Sequence, residues 1–395
     1  MKKLTLRPKR EVSIERFHPW IFSGGVAKED KDISDGDLVE VYSSRDEYLA
    51  TGHYQDASIK VRIISFEQTE AAQEFWTAKI QQAHDTRSQI GFPDNDLTDC
   101  YRLVHAEGDG CPGLIIDVFG TTAVVQCHSI GMHRQIKQIA TALQAVFGES
   151  LLQSIYDKSK KALPGNYART MEDGMLHGEL VDEIAVLENG NSFLINYQTG
   201  QKTGFFLDQR DNRAFVGKYA AGRKVLNAFC YTGGFSVYAL KAGATLVHSV
   251  DASEKAIDLC RKNIVANSPE LVDKHEGFSA DVNRYFKETE TTYDLIVLDP
   301  PAFAKSIAKR HNAVKGYKRI NAEAIRRIAP GGILFTFSCS QVIDRQLFQS
   351  TLMAAAIEAG RQVSILHHLS QPPDHPVSLF HPEGSYLKGL VLRVS

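Results

Sequence analysis

Over residues 1–70, apolar and polar positions alternate in short runs, Asp37 to Tyr42, Tyr48 to His53 and Ile59 to Ile64, separated by turn formers such as Asp35-Gly36 and Ser43-Ser44. A period of two turns one side of each run into a core, so a small, mostly β barrel is predicted. Residues Ala71 to Ile90 have helical spacing, with Phe75, Ile80 and Ala83 as the apolar stripe, and read as a connector. Strands are predicted at Leu114 to Phe119, Ala123 to His128, Val181 to Leu187 and Phe193 to Asn196, with a helix between about His133 and Phe147. This middle stretch is α+β.

Further along, continuous apolar runs alternate with helical text. Lys224 to Phe229 is a buried strand, Gly233-Gly234 a turn, Phe235 to Leu240 the start of a helix, and Leu246 to Val250 a second strand that ends in Asp251. Ser253 caps a helix whose inward face is Ile257, Cys260 and Ile264, and Asp281-Val282 closes another βα step. Strand Tyr293 to Leu298 delivers Asp299-Pro300-Pro301-Ala302-Phe303, and strand Ile333 to Phe337 delivers Ser338-Cys339-Ser340. Gln362 to Leu369 and Leu387 to Val394 are the last strands. The fold class is therefore α/β, a Rossmann-like domain over 186–395, preceded by the barrel over 1–75 and the α+β insert over 76–185.

An acid at the end of the second strand of a βαβ unit can grip a ribose diol, so a nucleoside cofactor belongs at this edge. A dinucleotide site needs a third glycine for its pyrophosphate, and that glycine is missing here. The turn Ala228 to Gly234 resembles instead the first motif of class I S-adenosylmethionine-dependent methyltransferases. That resemblance implies S-adenosyl-L-methionine as cofactor, held by Asp208, Asn227, Phe229, Tyr231, Thr232, Gly233, Asp251, Ser253, Asp281 and Val282. Asp251 is expected on the ribose and Asp281 on the adenine amino group. The Gly-bearing stretch Asn196 to Arg210 reads as a linker or as a cover for the cofactor.

Composition narrows the partners. A chain of 395 residues with 43% hydrophobic and 23% charged residues is globular, and no apolar run reaches membrane length, so a cytoplasmic protein is expected, with no membrane partner. Six cysteines without a C-x-x-C pair exclude a disulfide framework and a metal site from the expectation. The net charge of -2 is unevenly spread: residues 1–16 hold six Lys or Arg against two Glu, and Lys305 to Arg319 holds six against no acid. The opening, with Arg7-Pro8-Lys9-Arg10, His18 to Gly24 and Asp35 to Val41, resembles a PUA domain, an RNA-binding module. RNA is the implied partner, with Lys9, Arg10, Lys305, Lys315, Lys318 and Arg319 on its phosphates. A homodimer is compatible with the sequence.

Asp299-Pro300-Pro301 puts a carboxylate at a strand end in a loop stripped of two backbone donors. Methyltransferases of planar nitrogens carry an aromatic residue directly after such a turn, whereas here Phe303 arrives one position late. Cys339, between two serines at a neighbouring strand end, shares the cleft with Asp299. Cytosine C5 is a poor nucleophile until a thiolate adds to C6, which makes Cys339 and Asp299 the catalytic candidates and Phe303 a base-binding one. Taken together, the barrel, Arg102-Leu103-Val104, Gly108-Asp109-Gly110, Lys202-Thr203-Gly204, Leu207 to Arg210, Asp299-Pro300-Pro301, Thr336 to Ser340, Asp374-His375-Pro376, Pro382-Glu383-Gly384 and Tyr386 to Gly389 resemble the bacterial large-subunit ribosomal RNA cytosine-C5 methyltransferases of the RlmI type. The resemblance spans nearly the whole chain and implies one catalytic cysteine, at the position of Cys339. It leaves the base that removes the C5 proton unassigned. Two other readings stand beside it: N-methylation of a purine in RNA, and a non-catalytic RNA-binding factor of ribosome assembly.

Overall fold

The computed structural model describes residues 1–395 except Asp94 and Lys305. The chain folds as two compact units, one of Met1–Val186, Ile195–Leu207 and Pro373–Gly384, the other of Leu187–Leu194, Asp208–Pro372 and Ser385–Ser395. No helix among the described residues is long and apolar enough to cross a membrane.

The alternating runs of the first unit form a six-stranded sheet within residues 2–65. Leu4, Leu6, Val39, Val41, Ala50, Val61 and Ile63 line its core, one from every second position, as half-buried strands require. Lys2–Leu6 runs parallel to Leu38–Tyr42 and antiparallel to Val26–Glu29. A five-stranded sheet follows, from Cys100–His105 to Gly174–His177, and buries the helices Gln73–Gln89 and Ile136–Leu151 in a shared core.

The helix read as a connector is corrected here. Its buried face is Trp76, Ile80, Ala83 and Arg87, while Phe75 is only partly buried. Spacings of four, three and four place these on one helical stripe, but the sequence hides the last because it is an arginine. Arg87 is buried because its guanidinium pairs with Asp109 and donates to the Asp374 carbonyl at 2.8 Å, so its charge and donors are satisfied.

The second unit carries the seven-stranded sheet. Its strands are β1 (Lys224–Ala228), β2 (Leu246–Asp251), β3 (His275–Ser279), β4 (Tyr293–Leu298), β5 (Ile328–Ser338), β6 (Val363–Leu369) and β7 (Lys388–Val394). They lie in the order β3-β2-β1-β4-β5-β7-β6, with the first five parallel and β7 antiparallel between β5 and β6. The helices are α1 (Arg210–Ala220), α2 (Gly234–Lys241), α3 (Glu254–Asn267), α4 (Val282–Glu288), α5 (Arg310–Arg327) and α6 (Arg345–Ala359). The central strands are buried almost throughout, as parallel strands covered on both faces must be. β5 begins at Ile328, earlier than the expected Ile333, because Pro330-Gly331-Gly332 lies within the strand as an irregularity, with Gly331 at φ +80°. Strand order reverses at β1 and β4, so their carboxyl ends open the crevice where such sheets take ligands.

Candidate active site

The turn after β1 is held in an unusual backbone. Phe229, Tyr231 and Gly233 have φ of 61°, 46° and 80°. Left-handed geometry costs a residue with a side chain about 1–2 kcal/mol, so Phe229 and Tyr231 must be held from outside. The Cys230 N–H donates to the Val250 carbonyl at 3.0 Å and the Tyr231 N–H to Asp251 Oδ2 at 3.1 Å. Gly233 cannot carry a side chain, because a Cβ would lie 2.3 Å from Cys260 Sγ. The Thr232 carbonyl accepts from Asn263 Nδ2 at 2.9 Å, which ties the turn to α3. Cys230 and Cys260 are both buried.

Asp251 joins two turns. Its second oxygen accepts the Ser253 N–H at 2.9 Å, and a half-buried carboxylate with one bond to each oxygen has acceptor capacity left, which suits a ribose diol. The cradle of Phe229 to Gly233 beside that acid fits a nucleoside cofactor. Ser253 and Asp281 also act as helix caps, accepting from the Ala256 and Arg284 N–H groups at 3.3 and 3.0 Å. Val282 is buried behind Asp281. Asn227 is fully buried inside β1, where its amide donates to Ser236 Oγ at 2.8 Å. Asp208, ahead of α1, accepts from the Tyr386 hydroxyl at 2.6 Å.

The second half of the site lies at the ends of β4 and β5, paired in register as Leu298 and Thr336. Asp299 Oδ2 accepts from Gln209 Nε2 at 3.0 Å, and Gln209 is braced in turn by the Asn212 amide at 2.6 Å. Ser340 Oγ donates to the Ala304 carbonyl at 2.6 Å, tying the loop after β5 to the Asp299 loop. Cys339 therefore sits beside the Asp-Pro-Pro turn, and it is the one cysteine of the six that is not buried. The Phe303 ring packs on α5, 4.7 Å from the Tyr317 ring and against Gly316. Tyr317 is fully buried, burial pushes its hydroxyl's pKa up, and both Cys339 and Asp299 add to that rise.

Sequence reasoning gave no role to Gln209, Tyr317 or Lys388. The Lys388 Nζ, on β7 opposite Ser338, donates to the carbonyls of Ser340 and Tyr386 at 2.8 and 2.6 Å. The basic candidates divide. Among the described residues Lys315 and Arg319 are exposed on α5 without an ion pair, whereas Lys318 pairs with Glu358 at 2.8 Å. Lys9 and Arg10 are exposed on a loop of the first unit, and Lys305 lies outside the described residues. Among the described residues no group of three or more His, Cys, Asp or Glu is placed to hold a metal ion.

Comparison with known proteins gives concordant matches. Residues 137–393 match the family of S-adenosylmethionine-dependent methyltransferases, and residues 4–66 match PUA-like domains. A relative from Pseudoalteromonas atlantica, named ribosomal RNA large subunit methyltransferase I, is 42% identical over 99% of both chains. A solved structure from Streptococcus mutans, assigned to the S-adenosylmethionine-dependent methyltransferases, superposes with a TM-score of 0.85 at 25% identity over 100% of both chains. A methyltransferase structure in complex with SAH gives 0.86 at the same identity and coverage.

Proposed function

Since this chain belongs to the S-adenosylmethionine-dependent methyltransferases, and within them to the ribosomal RNA large subunit methyltransferase I family, we propose that it methylates C5 of a cytosine through a covalent bond from Cys339 to C6. The observation that carries this reading is the pairing of the partly exposed Cys339 with the Asp299 turn, two loops held together by Ser340.

The Cys339 thiolate adds to C6, and the C5–C6 π electrons move to C5, which becomes the nucleophile. S-adenosylmethionine, when bound, supplies the electrophilic methyl group. Asp299, oriented by Gln209, accepts a hydrogen bond from the cytosine amino group and aligns the ring edge. Phe303 flanks the base. Loss of the C5 proton then lets the sulfur leave as thiolate. Phe229 to Gly233, Asp251 and Ser253 hold the cofactor, with Asp208, Asn227, Asp281 and Val282 around it. On each unit basic residues meet RNA phosphates, Lys9 and Arg10 in the first and Lys315, Lys318 and Arg319 in the second, and Lys305, outside the described residues, is assigned the same role. A cytosine within a duplex hides C6, so the target is unpaired or extruded, at a cost of a few kcal/mol. The cytoplasm, where ribosomal RNA is available, is the expected compartment.

Large-subunit RNA carrying 5-fluorocytosine tests the reading, because fluorine blocks the final proton loss. A thioether adduct with intact protein is expected, absent from Cys339→Ala and retained by Cys230→Ala. Nucleoside mass spectrometry of ordinary RNA should give 5-methylcytosine. Near-normal methylation by Cys339→Ala would sink the covalent route and favour methylation of a purine nitrogen.

A further inference from the structure

Lys388 is a lysine in an expensive position. It is 4% exposed, and two of its three N–H donors go to neutral carbonyls, those of Ser340 and Tyr386. Among the described residues no carboxylate pairs with it. A buried ammonium is tolerated when an anion compensates it, and burial, reinforced by the Arg345 cation, lowers this one from 10.5 to about 8. The Cys339 sulfur acts in the opposite direction and favours the charged lysine. The register agrees: Lys388 sits opposite Ser338, and the carbonyl it grips belongs to Ser340, so the lysine side chain runs past residue 339.

The other groups around this pair do not supply the missing charge. Asp344 and Arg345, at the start of α6, carry opposite signs, and Asp344 already caps that helix through the Leu347 N–H at 2.8 Å. Tyr317 on α5 is held in its neutral form by burial. Asp299, at the end of β4, accepts from Gln209 and is not among the groups that act on the Lys388 ammonium.

We propose that Lys388 is a positioning residue that sets the ionisation of Cys339. The thiol S–H bond breaks, the proton passes to Nζ, and the electron pair stays on sulfur, so the resting pair is ammonium and thiolate. The inference deepens the covalent reading above and rests on it for its purpose, but the pair exists without RNA or cofactor and is tested without either.

The experiment uses the full chain and iodoacetamide, following alkylation of Cys339 by peptide mass spectrometry across pH. For the natural protein the midpoint is expected at least one unit below the ordinary thiol value of about 8.5. Lys388→Met should raise that midpoint by a unit or more, lowering alkylation at neutral pH about tenfold, since below both midpoints the thiolate fraction falls tenfold per unit. Lys388→Arg, which keeps a cation, should retain the low midpoint; a merely structural role would not separate the two variants in this way. An ordinary midpoint in the natural protein, or an unshifted one in Lys388→Met, overturns the proposal. If Lys388→Met does not fold, the thiolate ultraviolet absorbance of the natural protein minus that of Cys339→Ala decides, and absence of a thiolate signal at neutral pH overturns it. A low midpoint with no 5-fluorocytosine adduct would instead refute the cytosine reading and leave the pair standing.

Discussion

Asp251 holds the backbone of two turns and is proposed to meet the cofactor ribose, which makes its replacement informative. Its carboxylate faces the proposed ribose position, and it also holds the left-handed Tyr231 through the backbone N–H. Asp251→Ala is expected to weaken binding of S-adenosylhomocysteine by about 1.5–3 kcal/mol, the usual worth of hydrogen bonds to a charged group. Calorimetric titration of the folded variant measures this, and unchanged affinity would remove Asp251 from the site. Asp251, Gly233, Asp299 and Cys339 are candidates that the chain offers because each stands at a strand end or turn, where local spacing points to the ligand edge. Lys388 could not be given a role in this way. Its function depends on which carbonyls and which thiol a distant strand brings to it.

At the scale of elements, α1 is anchored by a buried ion pair. Arg213 donates to Glu188 Oε1 at 2.7 Å, both side chains are almost fully buried, and the Tyr238 hydroxyl donates to the same oxygen at 3.0 Å. Glu188 belongs to the hairpin formed by Ile184–Glu188 and Asn191–Ile195, whose turn is further held by Asn263 and Asn267 of α3 donating and accepting at Leu194 and Ser192. Arg213→Leu leaves a buried carboxylate without its cation and should destabilise the protein by about 3–5 kcal/mol. Adding Glu188→Leu should recover much of that loss, because removing both charges also removes the desolvation penalty. Denaturant midpoints of the two single variants and the double variant give the comparison, and a double variant no more stable than Arg213→Leu would contradict it. Strand periodicity marked this hairpin, but it did not reveal that residues 187–194 pack with the methyltransferase unit. That attachment is made by single side chains 25 to 75 positions away in sequence.

For the whole molecule, affinity for ribosomal RNA should fall steeply with salt, because phosphate contacts release counterions. Lys315 and Arg319 lie four positions apart on one exposed face of α5, so neutralising both should reduce the slope of log affinity against log salt by about 1.4 if each meets one single-strand phosphate. Adding Lys318→Gln should change it less, since Glu358 already balances that charge. Filter binding across salt concentrations measures the slopes, and identical slopes would exclude this face. The sequence by itself determined the barrel and the Rossmann-like sheet, and it nominated the cofactor turn and the two catalytic candidates. Each of these is written in local periodicity or in a motif a few residues long. Tertiary structure alone decided that Arg87 and Arg213 are buried, that residues 195–207 and 373–384 join the first unit, and that Lys388 reaches the loop of Cys339. Those outcomes depend on partners brought together from separate parts of the chain, and no local pattern records which partner a buried charge will meet.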